Sequence, residues 1–310
     1  MYQSSAHKEL NQLIKASTDD DMIWFLHLMN KDNEEHRCNI NISDTDDLLI
    51  QSTINILNTL KNTDEIRRKI LDNYTNINEN SIFNFIDSLK IFRDNLNIRG
   101  KDISDYKTNK RLLYFTFHSM SYDREISWRT MLTIQNDYFR FLYMLFISPS
   151  FSRSNRFLNN IEERFSTILA KNELHFKSFD SNDFYLWAKN YMDQDSENAR
   201  FYNSRDYTPV IPQDYKIVVN AIFDVLLDTN PHIYKALRDK LSNAWYQKSY
   251  RKKHKGRKHY YFFTDVTFEC LQILSKKYNL TEEKVIDRLI NEHYVKECRS
   301  NDTGNHYYKL

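Results

Sequence analysis

The sequence predicts a mainly α-helical protein with one short strand near its C-terminus. Among 310 residues there are three glycines and four prolines, whereas turn-rich β folds use both residues at their corners. Apolar residues recur three and four positions apart in one segment after another, which is the spacing of a buried helix face. The chain is 41% hydrophobic and has 20 Phe and 21 Tyr, so it can bury large cores.

Residues 1–100 are predicted to form helices joined by polar loops. One of these helices has Leu49, Ile56 and Leu60 on a single face and follows the polar segment 43–46, which contains suitable N-cap residues. Gly100 ends this region and is followed by a polar stretch. We expect a helical body over 1–192, with a division into two subdomains near 100–110 as one alternative.

The middle of the chain is rich in aromatic residues. Residues 112–118 fit either a buried strand or the start of a helix, because so short an apolar run has no diagnostic periodicity. Residues 128–146 predict one long buried helix that ends before Pro149. Further helices are expected over 157–168 and 184–191.

A polar segment with two prolines, 193–214, is predicted to be an exposed connection to a helical pair over 215–247. Pro231 suits the first turn of the second helix of this pair. The last three segments are a basic connector (248–258), a strand with two helices (259–297) and a tail (298–310).

The glycine pattern excludes two large classes of nucleotide-binding enzyme. No two glycines lie within forty residues of each other. Phosphate-binding loops and dinucleotide fingerprints need two or three glycines close together, because only glycine lets the backbone approach phosphate so closely. We therefore exclude Walker-type NTPases and Rossmann enzymes, and we expect no cofactor.

Neither the cysteines nor the histidines suggest a metal or catalytic site. Cys38, Cys270 and Cys298 form no close pair and indicate reduced thiols. No four-ligand metal set is visible. His118 lies near Ser119, Asp123 and Glu125, but this spacing is generic. We expect no enzyme, while a site assembled from scattered Asp and His residues of the body stays open as an alternative.

The hydropathy pattern predicts a cytoplasmic protein with no membrane partner. The longest apolar stretch, 139–147, contains Arg140 and has about half of the ~20 residues that a membrane span needs. The first eight residues include no apolar signal segment.

Positive charge is concentrated at the C-terminal end. From Lys248 onward there are 14 Lys and Arg against 8 Asp and Glu, a net charge of +6, so the preceding residues have a net charge of −4. Residues 248–258 hold seven Lys and Arg and no acid. Such density suits phosphate neutralisation with release of counterions, although a solvated tail would have the same composition.

The segment after the basic run predicts one strand and two helices. Residues 259–264 are aromatic and strand-like, Thr264 suits the N-cap of a helix with Phe268 and Leu271 on one face, and Thr281 suits the N-cap of a second. A lone strand satisfies neither its backbone groups nor its apolar side. A symmetric dimer that pairs two copies antiparallel would do both.

This segment resembles the ribbon-helix-helix DNA-binding family. The residues from Phe263 to Leu271, followed by 276–281 and 285–290, fit the apolar spacing of that family throughout. The segment is most similar to the macrodomain Ter organiser (MatP) type, which also joins a helical N-terminal part, a basic connector and such a module. The resemblance implies a homodimer whose paired strands enter the DNA major groove.

Successive side chains of a strand point to opposite faces, so in the ribbon that the resemblance implies one face enters the dimer core and the other faces the DNA. The predicted dimer core consists of Tyr261, Phe263, Phe268, Leu271, Leu274, Val285, Ile286, Leu289 and Ile290. The predicted base-reading residues are Lys258, Tyr260, Phe262 and Thr264. A shift of register by one residue would exchange the two faces of the strand.

Phosphate contacts are expected on both sides of the ribbon. The resemblance implies that the N-terminus of the second helix holds a phosphate, and Thr281 and Lys284 suit that role, although Glu282 and Glu283 would repel a phosphate that they faced. The predicted flanking contacts are Lys248, Arg251, Lys252, Lys253, Lys255 and Arg257.

The sequence thus predicts a dimeric, sequence-specific, double-stranded DNA-binding protein. We expect a nucleoid-associated bacterial regulator or DNA-organising protein that belongs to a plasmid, prophage or defence locus. Its helical body would oligomerise or bind a protein or small ligand. The alternative is an effector enzyme of toxin or phage-defence type that uses its C-terminal end for targeting or autoregulation. RNA is a weaker alternative, because A-form major grooves do not admit a two-stranded ribbon.

Overall fold

A computed structural model describes residues 4–96, 100–171, 173–195, 211–253 and 262–298. The chain divides into two compact units, 1–248 and 249–310. Across the described ranges the regular secondary structure is helical throughout, with 16 α-helices and one short 3-10 helix. The predicted mainly α class is therefore confirmed.

Five helices make up the first hundred residues of the larger unit. In most of them the side chain of the N-cap residue accepts a hydrogen bond from the first turn. Asp46, for example, accepts hydrogen bonds from the backbone N–H groups of Leu48 and Leu49, as the polar segment 43–46 predicts. The helices are α1 (Ser5–Ala16), α2 (Asp21–Cys38), α3 (Asp47–Leu57), α4 (Thr63–Asn73) and α5 (Glu79–Asn95).

The described residues of this unit form nine further helices, and the last of them continues to Lys253. They are α6 (Ser104–Thr108), α7 (Lys110–Met120), α8 (Trp128–Met131), α9 (Asp137–Ile147), α10 (Pro149–Ser152), α11 (Arg156–Lys171), α12 (Asn182–Gln194), α13 (Asp214–Thr229) and α14 (Pro231–Lys253), with a 3-10 turn at Lys177–Phe179. Residues 248–253 of the predicted connector are thus helical.

The core of the larger unit is built around helices that are buried on nearly every side. All residues of α2 from Met22 to Met29 are buried, and α2 packs against α3, α4, α5 and α9. Residues 112–117 of α7 are buried as well, and α7 packs against α13, α9 and α11. One continuous apolar core extends from Ala6 to Leu241.

The prediction of one long helix over 128–146 is wrong. The chain leaves the helix after Met131 and begins α9 at Asp137, where the Asn136 side chain accepts hydrogen bonds from two backbone N–H groups. The side chain of Asn58, next to the end of α3, stabilises the break: it donates to the Thr133 carbonyl at 2.9 Å and accepts from the Gln135 N–H at 3.0 Å. These bonds satisfy backbone groups that a continuous helix would have paired internally.

Several segments of the prediction fall outside the described ranges. Most of the connection 193–214 does, since residues 196–210 are not described. So do the tail from residue 299 and the strand residues up to Tyr261. Phe262 and Phe263 are described without regular secondary structure, and Thr264 has extended backbone angles. Within the described ranges, no helix is both long enough and apolar enough to cross a membrane.

Candidate nucleic-acid interface

The C-terminal unit contains a hairpin of two helices, α15 (Asp265–Tyr278) and α16 (Glu282–Cys298). Thr264 begins α15 as predicted, because its side chain accepts a hydrogen bond from the Thr267 N–H at 3.3 Å. Asn279 ends the helix in the left-handed conformation, with φ of 51°. The Leu280 N–H donates to the Ser275 carbonyl at 3.2 Å, which closes a Schellman-type turn between the two helices.

Most of the apolar side chains of this hairpin are not covered by the hairpin itself. Among the described members of the predicted dimer core, Leu271 and Val285 are buried, and Leu274 and Ile286 are half-buried. The exposed members are Phe263 (42%), Phe268 (43%), Leu289 (38%) and Ile290 (61%). Tyr261 lies outside the described residues. Two helices alone therefore leave much of the predicted core in contact with water.

Apolar side chains of the two helices, together with Phe263 just before α15, line one open groove of about 490 Å³. Six of its eight lining residues belong to the predicted dimer core, and the other two are Thr267 and Cys270. We call this surface the hairpin groove; its lining residues are Phe263, Thr267, Cys270, Leu271, Leu274, Ile286, Leu289 and Ile290. Exposed apolar surface that is contiguous in this way is typical of an interaction site.

Two of the four predicted base-reading residues are described. The Phe262 ring is fully exposed, so it is available for contact with a base or a thymine methyl. The Thr264 hydroxyl is already engaged, because it caps α15 and lies 2.8 Å from the Thr267 hydroxyl. Lys258 and Tyr260 lie outside the described residues.

The predicted phosphate contacts occupy different local settings. Arg251, Lys252 and Lys253 belong to the last turn of α14, and Lys255 and Arg257 lie outside the described residues. Thr281 and Lys284 are exposed at the start of α16, beside Glu282 and Glu283 in its first turn. The Lys248 ammonium lies over two tryptophan rings of the larger unit.

A buried polar cluster in the larger unit was not visible in the sequence. The Arg111 guanidinium pairs with both carboxylate oxygens of Asp224, at 2.5 and 2.6 Å. His175 lies 2.8 Å from Asp224 through Nε2 and 3.1 Å from the Tyr234 hydroxyl through Nδ1. The side chains of His175 and Asp224 are completely buried.

This cluster joins α7, α13, α14 and the segment before the 3-10 turn. Burial lowers the pKa of His175, and the nearby Arg111 and Arg238 charges lower it further, while Asp224 acts in the opposite direction. Since Arg111 and His175 occupy both oxygens of the Asp224 carboxylate, the geometry favours a role in holding the helices together.

In the generic grouping near His118, Asp123 is engaged by neighbouring backbone groups. Asp123 accepts hydrogen bonds from the backbone N–H groups of Glu125 and Ile126 at 2.9 and 2.8 Å, and from the Ser148 hydroxyl at 2.8 Å. It thereby stabilises the turn that precedes α8. The His118 ring packs edge-to-face on Tyr122. Among the described residues, no three His, Cys, Asp or Glu side chains are grouped to hold a metal ion.

Comparison of the chain with protein-family models, with curated proteins and with solved structures finds no match. The ribbon-helix-helix resemblance therefore depends on the residues of this chain alone.

Proposed function

We propose that the protein is a homodimer that binds double-stranded DNA in a sequence-specific way through its C-terminal unit. In this proposal two copies of residues 259–264 pair as an antiparallel ribbon, and the hairpin groove of each copy is covered by the other. The ribbon enters the major groove of DNA, and the basic residues around it bind the phosphate backbone. The protein would act in gene regulation or DNA organisation on the nucleoid.

The observation that supports this proposal most strongly is the match between the predicted dimer core and the hairpin groove. The dimer core is predicted from sequence spacing, and six of its members line one open groove. Burying a large apolar side chain fully is worth about 1.5–3 kcal/mol, so the three exposed residues among these six, Phe263, Leu289 and Ile290, provide a driving force for association. Very small helical units commonly need oligomerisation to become stable.

Charge supports DNA as the ligand of such a dimer. Two copies bring together two runs of seven Lys and Arg without an intervening acid, each directly before the proposed ribbon strand. Each phosphate neutralised in B-DNA releases about 0.9 counterion, and this release favours binding at low salt. Exposed aromatic side chains such as Phe262 add contacts to base edges, which depend on sequence.

The dimer is tested by two isoleucines that differ in their place on the hairpin. Ile290 lines the hairpin groove and is 61% exposed, whereas Ile273 is 65% exposed and lies outside the groove lining. We expect Ile290→Asp to give a monomer, because a dimer would bury its charge unpaired. Ile273→Asp should remain dimeric. The mass of each full-length variant is measured by light scattering after size exclusion.

DNA specificity is tested by selecting bound duplexes from a random library at about 150 mM salt, where binding driven by counterion release is weakened. Wild type and Ile273→Asp should enrich one short pseudo-palindrome, and Ile290→Asp should enrich none. A monomeric wild-type protein would refute the dimer, and equal behaviour of the two variants would refute its formation through the hairpin groove. A dimer that enriches no sequence would refute specific recognition.

A further inference from the structure

The surface where α12 and α14 meet carries a ladder of aromatic rings. Trp187 of α12 and Trp245 of α14 have ring centroids 5.1 Å apart, with an interplanar angle of 41°. Trp245 also packs against Phe184 at 5.4 Å, and Trp187 against Tyr191 at 5.2 Å. Phe184 is fully buried, while the other three rings are partly exposed. The ladder thus connects the core of the larger unit to its surface.

Two lysines of α14 place their ammonium groups over this ladder, and they differ in their ionic partners. Lys248 Nζ lies 5.6 Å from the ring centroids of both Trp187 and Trp245. Lys240 Nζ lies 5.7 Å from the Tyr191 ring centroid and also 2.7 Å from a carboxylate oxygen of Asp195. Within the described ranges, no carboxylate lies within ion-pair distance of Lys248, which is exposed.

We propose that Trp187 and Trp245 position the Lys248 ammonium for contact with a DNA phosphate. This inference depends on the proposed DNA binding and extends it, because it assigns a phosphate contact to the larger unit of the protein. Trp187 is the new positioning residue, and it lies 61 positions before the lysine that it holds.

The physical reason is preorganisation. A lysine side chain loses rotamer entropy when it becomes fixed, and part of this loss occurs during folding if the ammonium already rests on two indole rings. Cation–π attraction restrains the side chain, yet the ring faces accept no conventional hydrogen bond from the ammonium. Its N–H donors therefore remain available for phosphate oxygens.

Lys240 provides a matched control because the same kind of ring contact is combined there with an ion pair. Its charge is already compensated by Asp195, so it should add little to phosphate binding. The two lysines lie on the same helix and both are exposed. A difference between their variants therefore does not come from helix propensity.

The test uses the full chain and a random-sequence 30-bp duplex, with affinity measured by fluorescence anisotropy over a series of KCl concentrations. Lys248→Gln should reduce the slope of log affinity against log salt by about two per dimer, since each copy loses one phosphate contact. Lys240→Gln should leave the slope unchanged.

Trp187 is tested by a double-mutant cycle with Lys248. Trp187→Leu should weaken binding about two- to fivefold per copy, the range of an exposed cation–π contact, and so about four- to 25-fold for the dimer. It should have no further effect in the Lys248→Gln background. Trp187→Phe retains a ring and should restore most of the affinity, which separates positioning from folding. Thermal unfolding of each variant verifies that the body is intact.

The outcomes separate this inference from the proposed function. A wild-type protein that binds no duplex at any salt concentration refutes both. Wild-type binding with an unchanged slope for Lys248→Gln overturns the Lys248 contact alone. An equal loss from Trp187→Leu in both backgrounds overturns the positioning role of Trp187.

Discussion

A fully buried histidine in α2 makes the stability of the larger unit depend on pH in a predictable way. The His27 side chain is 0% exposed, and its Nδ1 lies 2.9 Å from the Tyr143 hydroxyl. Burial removes the imidazolium from water and lowers the pKa of His27 from 6.5 to about 4. In the unfolded chain the ring returns to its ordinary pKa.

The direction of the effect follows from these two pKa values. Between pH 6.5 and pH 4 the unfolded chain holds a proton on His27 that the folded protein lacks, so acid favours unfolding. The free energy of unfolding should fall by about 2 kcal/mol from pH 7 to pH 5 on account of this one group, since each pKa unit corresponds to about 1.4 kcal/mol. Burial lowers the pKa of His175 as well, so His175 also lowers the free energy of unfolding in acid.

The contribution of His27 is isolated by comparing two histidines of the same helix. His27→Gln removes the titrating group and keeps a side chain that can bond to Tyr143, whereas His36→Gln changes a ring at the surface. Urea unfolding at pH 7 and pH 5 measures the free energy of each variant. We expect His27→Gln to lose about 2 kcal/mol less than wild type between the two pH values, and His36→Gln to follow wild type. Equal pH dependence in all three proteins would refute the assignment of a buried, neutral His27.

Two further predictions concern the buried cluster and the ribbon. Arg111→Ala should destabilise the protein by about 3–5 kcal/mol in urea unfolding, because it leaves the buried Asp224 carboxylate without its guanidinium. Arg164→Ala removes a more exposed ion pair with Asp228 and should destabilise the protein less. A smaller loss of stability for Arg111→Ala than for Arg164→Ala would contradict the importance of burial. Replacing Tyr260 and Phe262 together by Ala should weaken binding to the selected duplex more than binding to a random duplex, as measured by fluorescence anisotropy. The dimer should stay intact in light scattering. Equal losses of affinity for both duplexes would contradict base reading by these residues.

Local spacing in the sequence was sufficient for most of the helices. The predicted helices over 157–168 and 184–191 correspond to α11 and α12, and Pro231 begins α14 as predicted. The N-cap at Thr264 and the turn before Thr281 could also be read directly. These features depend on residues within about one helical turn of each other, and such residues are adjacent in the sequence.

Other parts of the fold depend on contacts between distant residues. Periodicity could not distinguish strand from helix at 112–118, because α7 is buried on nearly all sides and has no polar face there. The break between α8 and α9 is stabilised by Asn58, some 75 residues away in the sequence. Only the packed structure brings these groups together.

The same division applies to the candidate interface. The sequence by itself determined which residues are basic, which are apolar at helical spacing and where the two C-terminal helices begin. The tertiary structure decided that six members of the apolar set line one open groove, and that the Lys248 ammonium rests on Trp187 and Trp245. The physical reason is that spacing along the chain determines the face of a helix on which a residue lies, whereas burial and ring contacts depend on which other elements pack against that face.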